Sequence, residues 1–219
     1  MKHQLFTGAL FTALACSFTA LPSYAELNHG VAISACATNA QAQAVQAHYL
    51  KVKGAPLAVV GRMVNLPEVL VASGVPKKNR HSVQASAKIS KEIWSSIDSW
   101  GAQTNIRMVY TMGGKHVLDF PSKVPISGPD LDDGWIDIYA DNGDGVHGHL
   151  WLERIASIHA VDIPGVDGVQ TRTISFYGPD GQLVLGLYAS ITTKTFDKKA
   201  VDGFARTQAL IASMPQLCN

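Results

Sequence analysis

Two histidines separated by one glycine, His147-Gly148-His149, have the residue types and spacing to do chemistry. They lie in a segment that reads as a β-strand, where residues two apart point to the same face. Gly148 leaves room for something flat to approach the backbone, and Leu150-Trp151-Leu152 follow directly. An imidazole held in an apolar, aromatic-lined recess can serve as an axial haem ligand, and this strand can supply one. The same pair could hold a bare divalent ion. It could also be two polar residues on the solvent face of a strand, the reading that spacing alone favours. Beyond residue 25 the remaining histidines are His29, His48, His81, His116 and His159.

No catalytic signature accompanies the pair. GxSxG, HExxH, the P-loop and GxGxxG are all absent, so the sequence predicts a non-enzymatic protein. The stretches Asp130-Leu131-Asp132-Asp133-Gly134 and Asp141-Asn142-Gly143-Asp144-Gly145 resemble fragments of calcium loops. They lack the full register and the terminal Glu, and read as turns. Lys and Arg total 18 against 17 Asp and Glu, so no cationic excess points to nucleic acid.

The segments that must carry the histidines begin after an N-terminal leader. Lys2 and His3 precede an uncharged run from Leu5 to Leu21, and Pro22-Ser23-Tyr24-Ala25 follows. That order predicts a secretory signal peptide over residues 1–25, cleaved after Ala25. Thr7, Gly8, Thr12, Ser17 and Thr19 dilute the run, which argues against a retained membrane span. Acylation of Cys16 would make a lipoprotein instead, but the Ser-Tyr-Ala site fits better. The expected location is periplasmic or secreted. Cys36 and Cys218 then remain near the two ends of the mature chain. In an oxidising compartment they are expected to pair, closing a loop long enough to contribute about 4–5 kcal/mol.

Periodicity divides the rest into an N-terminal helix within 26–54 and one α+β domain over 55–219. Residues 37–53 read as a helix ending at Gly54. Residues 56–63 and 66–73 read as two short helices, with Pro56 and Pro67 at their starts. The pair has a helix-turn-helix outline without a basic recognition face, and is read as a packing module. Residues 77–90 are expected to be a linker or exposed strand. Ser90 is expected to cap a helix over 91–100, with Ile89 and Trp94 as a hydrophobic staple. From residue 103 the period becomes two, with strands at 104–111, 116–120, 134–139, 146–152, 155–162, 169–177 and 182–190. Gly113-Gly114, Asn142-Gly143 and Pro179-Asp180-Gly181 mark turns, so a large antiparallel meander is expected. An amphipathic helix over 197–213 would cover it.

The chain resembles the haem-utilisation carrier family of the ChuX/HutX type. The resemblance runs over about 57–212. It rests on Leu57–Pro76, on Trp94 with Trp100-Gly101, on Val117-Leu118-Asp119-Phe120, on Gly134-Trp135-Ile136-Asp137-Ile138, on Gly148-His149-Leu150 through Glu153, and on the hairpin Ile174–Tyr188. It implies a haem-binding protein that forms a homodimer and hands haem on without chemistry of its own, with partners among envelope haem-transport proteins. It implies that His149 ligates the haem iron, with His147 nearby and Trp135 and Trp151 covering the porphyrin. The family's second histidine falls close to Tyr110, so Tyr110, Met108 or His116 is expected opposite or near His149. Here the chain departs from the family, as it does in carrying a signal peptide. Two other readings stand beside this one: an envelope interaction protein on the same scaffold without haem, and a haem-degrading or metal-dependent enzyme using His147 and His149.

Overall fold

The two periodicities build two kinds of layer. The computed structural model describes residues 32–112, 116–129, 133–194 and 196–218. The leader, His29, the Gly113-Gly114 turn and most of the 130–134 acidic stretch lie outside the described residues. Helices α1 (Asn39–Lys51), α2 (Leu57–Val64) and α3 (Glu68–Gly74) come first. Strand β1 (Arg80–Gln84) and helix α4 (Ala87–Asp98) lead into β2 (Asn105–Met112) and β3 (His116–Lys123). Then follow β4 (Ile126–Ser127), β5 (Trp135–Tyr139), β6 (His147–Trp151), β7 (Ser157–Pro164), β8 (Gln170–Tyr177), β9 (Leu183–Thr193) and α5 (Lys198–Ser213). The α+β class, the large antiparallel sheet and the covering C-terminal helix are as the sequence predicts.

Thr38 and Gln41 close a capping box on α1, each side chain meeting the other's backbone N–H, which fixes where that helix starts. The expected start of α4 is corrected. Ser86, not Ser90, caps it by accepting from the Ile89 N–H. Both serines can cap, but starting one turn earlier extends the stripe of Ile89, Ile93, Trp94 and Ile97 and leaves Ser90 inside the helix, buried. Residues 80–84 are a paired edge strand, not a linker, because Ser82 and Val83 are buried against β7.

The connectivity also departs from a simple meander. The large sheet has the order β1-β7-β8-β9-β2-β3, and β4-β5-β6 form a second, three-stranded sheet. Alternation identifies strands but does not say which distant strands pair, and β2 pairs with β9 across 80 residues of chain. The two-residue β4 is too short to carry a pattern.

One face of the large sheet packs on α4, α5 and the small sheet, with Trp94, Phe176, Ile158, Leu187 and Phe204 at its centre. Burying each of these large side chains contributes roughly 2–3 kcal/mol. A Cβ on Gly203 would collide with the Trp100 indole, so glycine lets α5 lie against Trp100, whose Nε1 donates to Thr207 Oγ1 at 2.9 Å. The small sheet joins this core through Ile136, Ile138 and Leu150. Cys36, ahead of α1, is disulfide-bonded to Cys218, after α5.

The opposite face packs on α1–α3 and is far more polar. Ser157, His159, Thr171, Thr173 and Ser175 are all buried there. The Tyr177 hydroxyl donates to Glu68 Oε1 at 3.5 Å. His159 lies edge-on to the Tyr177 ring at 5.3 Å, and its Nε2 is 3.2 Å from Ser157 Oγ. Burial pushes the Glu68 carboxyl from 4.5 up to about 8. Burial, with Arg80 adding, pushes the His159 imidazole from 6.5 down to about 3.

These shifts set a pH profile. Between pH 4.5 and about 8 the folded protein keeps a proton on Glu68 that the unfolded chain has lost, so rising pH weakens folding. Between about 3 and 6.5 the unfolded chain protonates His159 and the folded protein does not, so falling pH weakens folding. The opposing slopes overlap between pH 4.5 and 6.5. Urea midpoints are therefore expected to peak in that window and to fall towards pH 8. Glu68→Gln is expected to remove the alkaline fall. Midpoints that stay level from pH 6.5 to 8 in the wild type would contradict this assignment.

Candidate functional site

The small sheet turns one face to the core and the other outward. Because side chains alternate, Ile136, Ile138 and Leu150 point inward while positions 135, 137 and 139 of β5 and 147, 149 and 151 of β6 share the outer face. The register pairs Trp135 with Trp151, Asp137 with His149 and Tyr139 with His147. Three cross-strand pairs thus form a continuous strip roughly 13 Å long, at about 3.3 Å per residue.

Each pair is in contact. The Trp135 and Trp151 rings stack with centroids 5.6 Å apart and planes 20° from parallel. Tyr139 stacks on His147 at 4.6 Å, and His147 meets His149 edge-on at 4.7 Å. His149 Nδ1 lies 2.5 Å from Asp137 Oδ1, and the Tyr139 hydroxyl donates to Asp137 Oδ2 at 3.3 Å. The hydrogen bond from His149 holds the Asp137 carboxyl below the usual range. Arg154 lies over the Trp151 ring, its guanidinium carbon 4.8 Å from the centroid.

The chemistry follows from the tautomer. A carboxylate on Nδ1 fixes the proton there and leaves Nε2 with its lone pair. The His149 side chain is 57% exposed, so that lone pair is available to a metal approaching the strip. Trp135 and Trp151 are 41% and 40% exposed, an unusual outlay of indole surface, and they offer a flat apolar face beside the imidazole. A hollow of about 150 Å³ opens alongside, lined in part by Trp135, Lys91 and Gly128. A carboxylate-oriented imidazole next to paired indoles and a guanidinium fits a planar, anionic, iron-bearing ligand such as haem. A bare divalent ion fits less well, since among the described residues no three His, Cys, Asp or Glu side chains are arranged to hold one.

Four of the seven residues expected at a haem site, His147, His149, Trp135 and Trp151, come together on this strip. The other three belong to the large sheet. Met108 has no exposed surface and is packed in the core, so its sulfur is out of reach of a ligand unless β2 is disturbed. Tyr110 is half-buried, edge-on to Phe120 at 6.3 Å. His116 is exposed at the start of β3, opposite Met112. Asp137, Tyr139 and Arg154 were not singled out from the sequence. Strict alternation already put 137 and 139 on the face of Trp135, and that was the signal available for them.

Comparison with known proteins agrees with the fold. A family described as haem utilisation ChuX/HutX matches residues 83–206, more than half of the chain. No curated protein sequence matches. A structure of the haem-binding protein ChuX is similar with a TM-score of 0.57 at 17% identity, over 77% of this chain and 99% of that one. Holo-PhuS, a haem-binding protein from Pseudomonas aeruginosa, gives 0.57 at 15% identity over 87% of this chain. ChuS, an Escherichia coli haem oxygenase, gives 0.54 at 20% identity over 78%. The chain spans about half the length of these last two, 51% and 50%. At such identities the likeness establishes a shared fold.

Proposed function

The chain belongs to the ChuX/HutX haem-utilisation family, and on that premise we propose that it binds haem on the outer strip of the small sheet and carries it unaltered. The observation that carries this reading is the Asp137–His149 pair beside the stacked Trp135 and Trp151. His149 Nε2 would hold the haem iron, while Asp137 keeps the imidazole in its tautomer and orientation. The indoles would exclude water from one porphyrin face, and Arg154 would offset the charge of the propionates.

A strip covers only one side of a flat ligand. The second side is assigned to a second copy of the chain, in keeping with a homodimer, or to Tyr110 or His116 from the large sheet. Met108 is the weakest of the expected partners because of its burial. The shallow, open character of the strip supports transfer over storage. The absence of catalytic signatures supports a carrier, and envelope haem-transport proteins are the proposed donors and acceptors.

Export to the periplasm is part of the same proposal. The Cys36–Cys218 bridge suits an oxidising compartment, and residues 1–25 read as its leader. The mature protein recovered from the cell envelope is expected to begin at Glu26.

Asp137→Ala is expected to weaken hemin binding about 10- to 100-fold, the usual cost of losing an orienting partner. Hemin titrations followed by absorbance check this, and an unchanged affinity would remove Asp137 from the site. The carrier reading is tested by mixing the haem-loaded protein with apomyoglobin. Haem is expected to pass intact. Conversion to a bile pigment when a reductant is added would make the protein an enzyme instead.

A further inference from the structure

Helix α1 has an unpartnered face. Gln46, Tyr49 and Leu50 share that face, and with Lys53, just beyond the helix end, they line one wall of a groove of about 420 Å³, a volume in the range of small-molecule sites. Val75 and Pro76, between α3 and β1, form the second wall, and Ile163 and Pro164 at the end of β7 form the third. The walls are mostly apolar. Leu50 is 79% exposed. The Tyr49 hydroxyl is buried, so the ring is what Tyr49 offers.

The polar part of the groove has one sign. Lys53 and Lys78 line it, and no acidic residue does. Lys51 and Lys77 adjoin them, and all four lysines are exposed. None of the four takes part in an ion pair recorded among the described residues. Apolar walls on three sides enclose a chain better than they meet a flat bilayer, and paired ammonium groups at the rim suit a carboxylate.

We propose that this groove binds a single-chain anionic amphiphile of the fatty-acid class, with its hydrocarbon on Leu50, Pro76 and Pro164 and its carboxylate at Lys53 and Lys78. The site is separate from the strip of the small sheet and does not depend on haem binding there.

Calorimetric titration of the purified protein with dodecanoate, below the concentration at which it aggregates, tests this. One saturable site is expected, with no comparable binding of dodecyltrimethylammonium. Lys53→Glu with Lys78→Glu is expected to weaken it by at least about tenfold, as is Leu50→Glu. These positions are exposed, so unchanged melting temperatures will show that the fold is intact. His149→Ala is expected to leave dodecanoate binding unaltered. The proposal is overturned by no saturable binding, by equal affinity for the cationic amphiphile, or by wild-type affinity in the charge-reversed variant. Co-sedimentation with phosphatidylglycerol vesicles without binding of free dodecanoate would also overturn it, in favour of a bilayer contact.

Discussion

His149→Ala is expected to lower hemin affinity by more than about 100-fold and to shift the Soret band of whatever hemin remains bound. Removing an orienting neighbour of a metal ligand costs 10- to 100-fold, and removing the ligand costs more. The effect is expected to be large because nothing on the strip can replace His149 fully. His147 is 4.7 Å away, but its ring is stacked on Tyr139 and has no carboxylate recorded on its Nδ1. His147→Ala is accordingly expected to weaken binding less than His149→Ala. Asp137 holds the imidazole through a hydrogen bond to a carboxylate that also accepts from Tyr139. Equal affinity and an identical spectrum in His149→Ala would take His149 out of the site and return attention to Tyr110 and His116.

Replacing both cysteines, Cys36→Ser with Cys218→Ser, is expected to lower stability by about 5 kcal/mol. The bridge spans 182 residues, and cross-linking a loop of that length removes about that much entropy from the unfolded chain at 25 °C. For a domain of this size each kcal/mol moves the melting temperature by about 2–4 °C, so a fall of about 10–20 °C is expected. The Cys218 carbonyl also accepts from Arg80 and the Leu217 N–H donates to the Ser82 carbonyl, contacts that the double variant keeps. Cys36 lies ahead of α1 and Cys218 after α5, so the change acts on the unfolded state more than on the core. Thermal melts of the double variant and of the wild type with and without reductant check this. A shift of only a degree or two would mean that the ends are already held without the bridge.

Much of this was legible before the structure. The Trp94–Trp100 helix, the hairpin around Gly178-Pro179-Asp180-Gly181 and the α5 stripe follow from periods of 3.6 and 2 with turn residues between them. The Cys36–Cys218 bridge followed from counting cysteines. Strand partners did not follow, because alternation marks a face without naming a neighbour; the separation of β4-β5-β6 from the large sheet was therefore invisible. The start of α4 was misread because Ser86 and Ser90 are both competent caps, and only the buried side of the helix decides between them.

The site was half legible for a related reason. His147-Gly148-His149 announces itself within one strand, but Asp137 matters only through its register with His149. Asn142-Gly143 offered the turn between the two strands, and folding the segment about it would have brought Asp137 towards His149. Conversely, the resemblance pointed to Met108 and Tyr110 on β2 by sequence position, and position says nothing of burial. The buried polar layer of Glu68, His159 and Tyr177 had no sequence signature at all, because each residue comes from a different element.

The central claim is that the outer strip of the small sheet binds haem. Hemin titration of the wild-type protein, read at once by Soret absorbance and by quenching of the exposed Trp135 and Trp151, tests it most directly. One saturable Soret shift is expected, with indole emission lost in step with it. Hemin that never produces a saturable shift, or that binds while the indole emission stays constant, would contradict it.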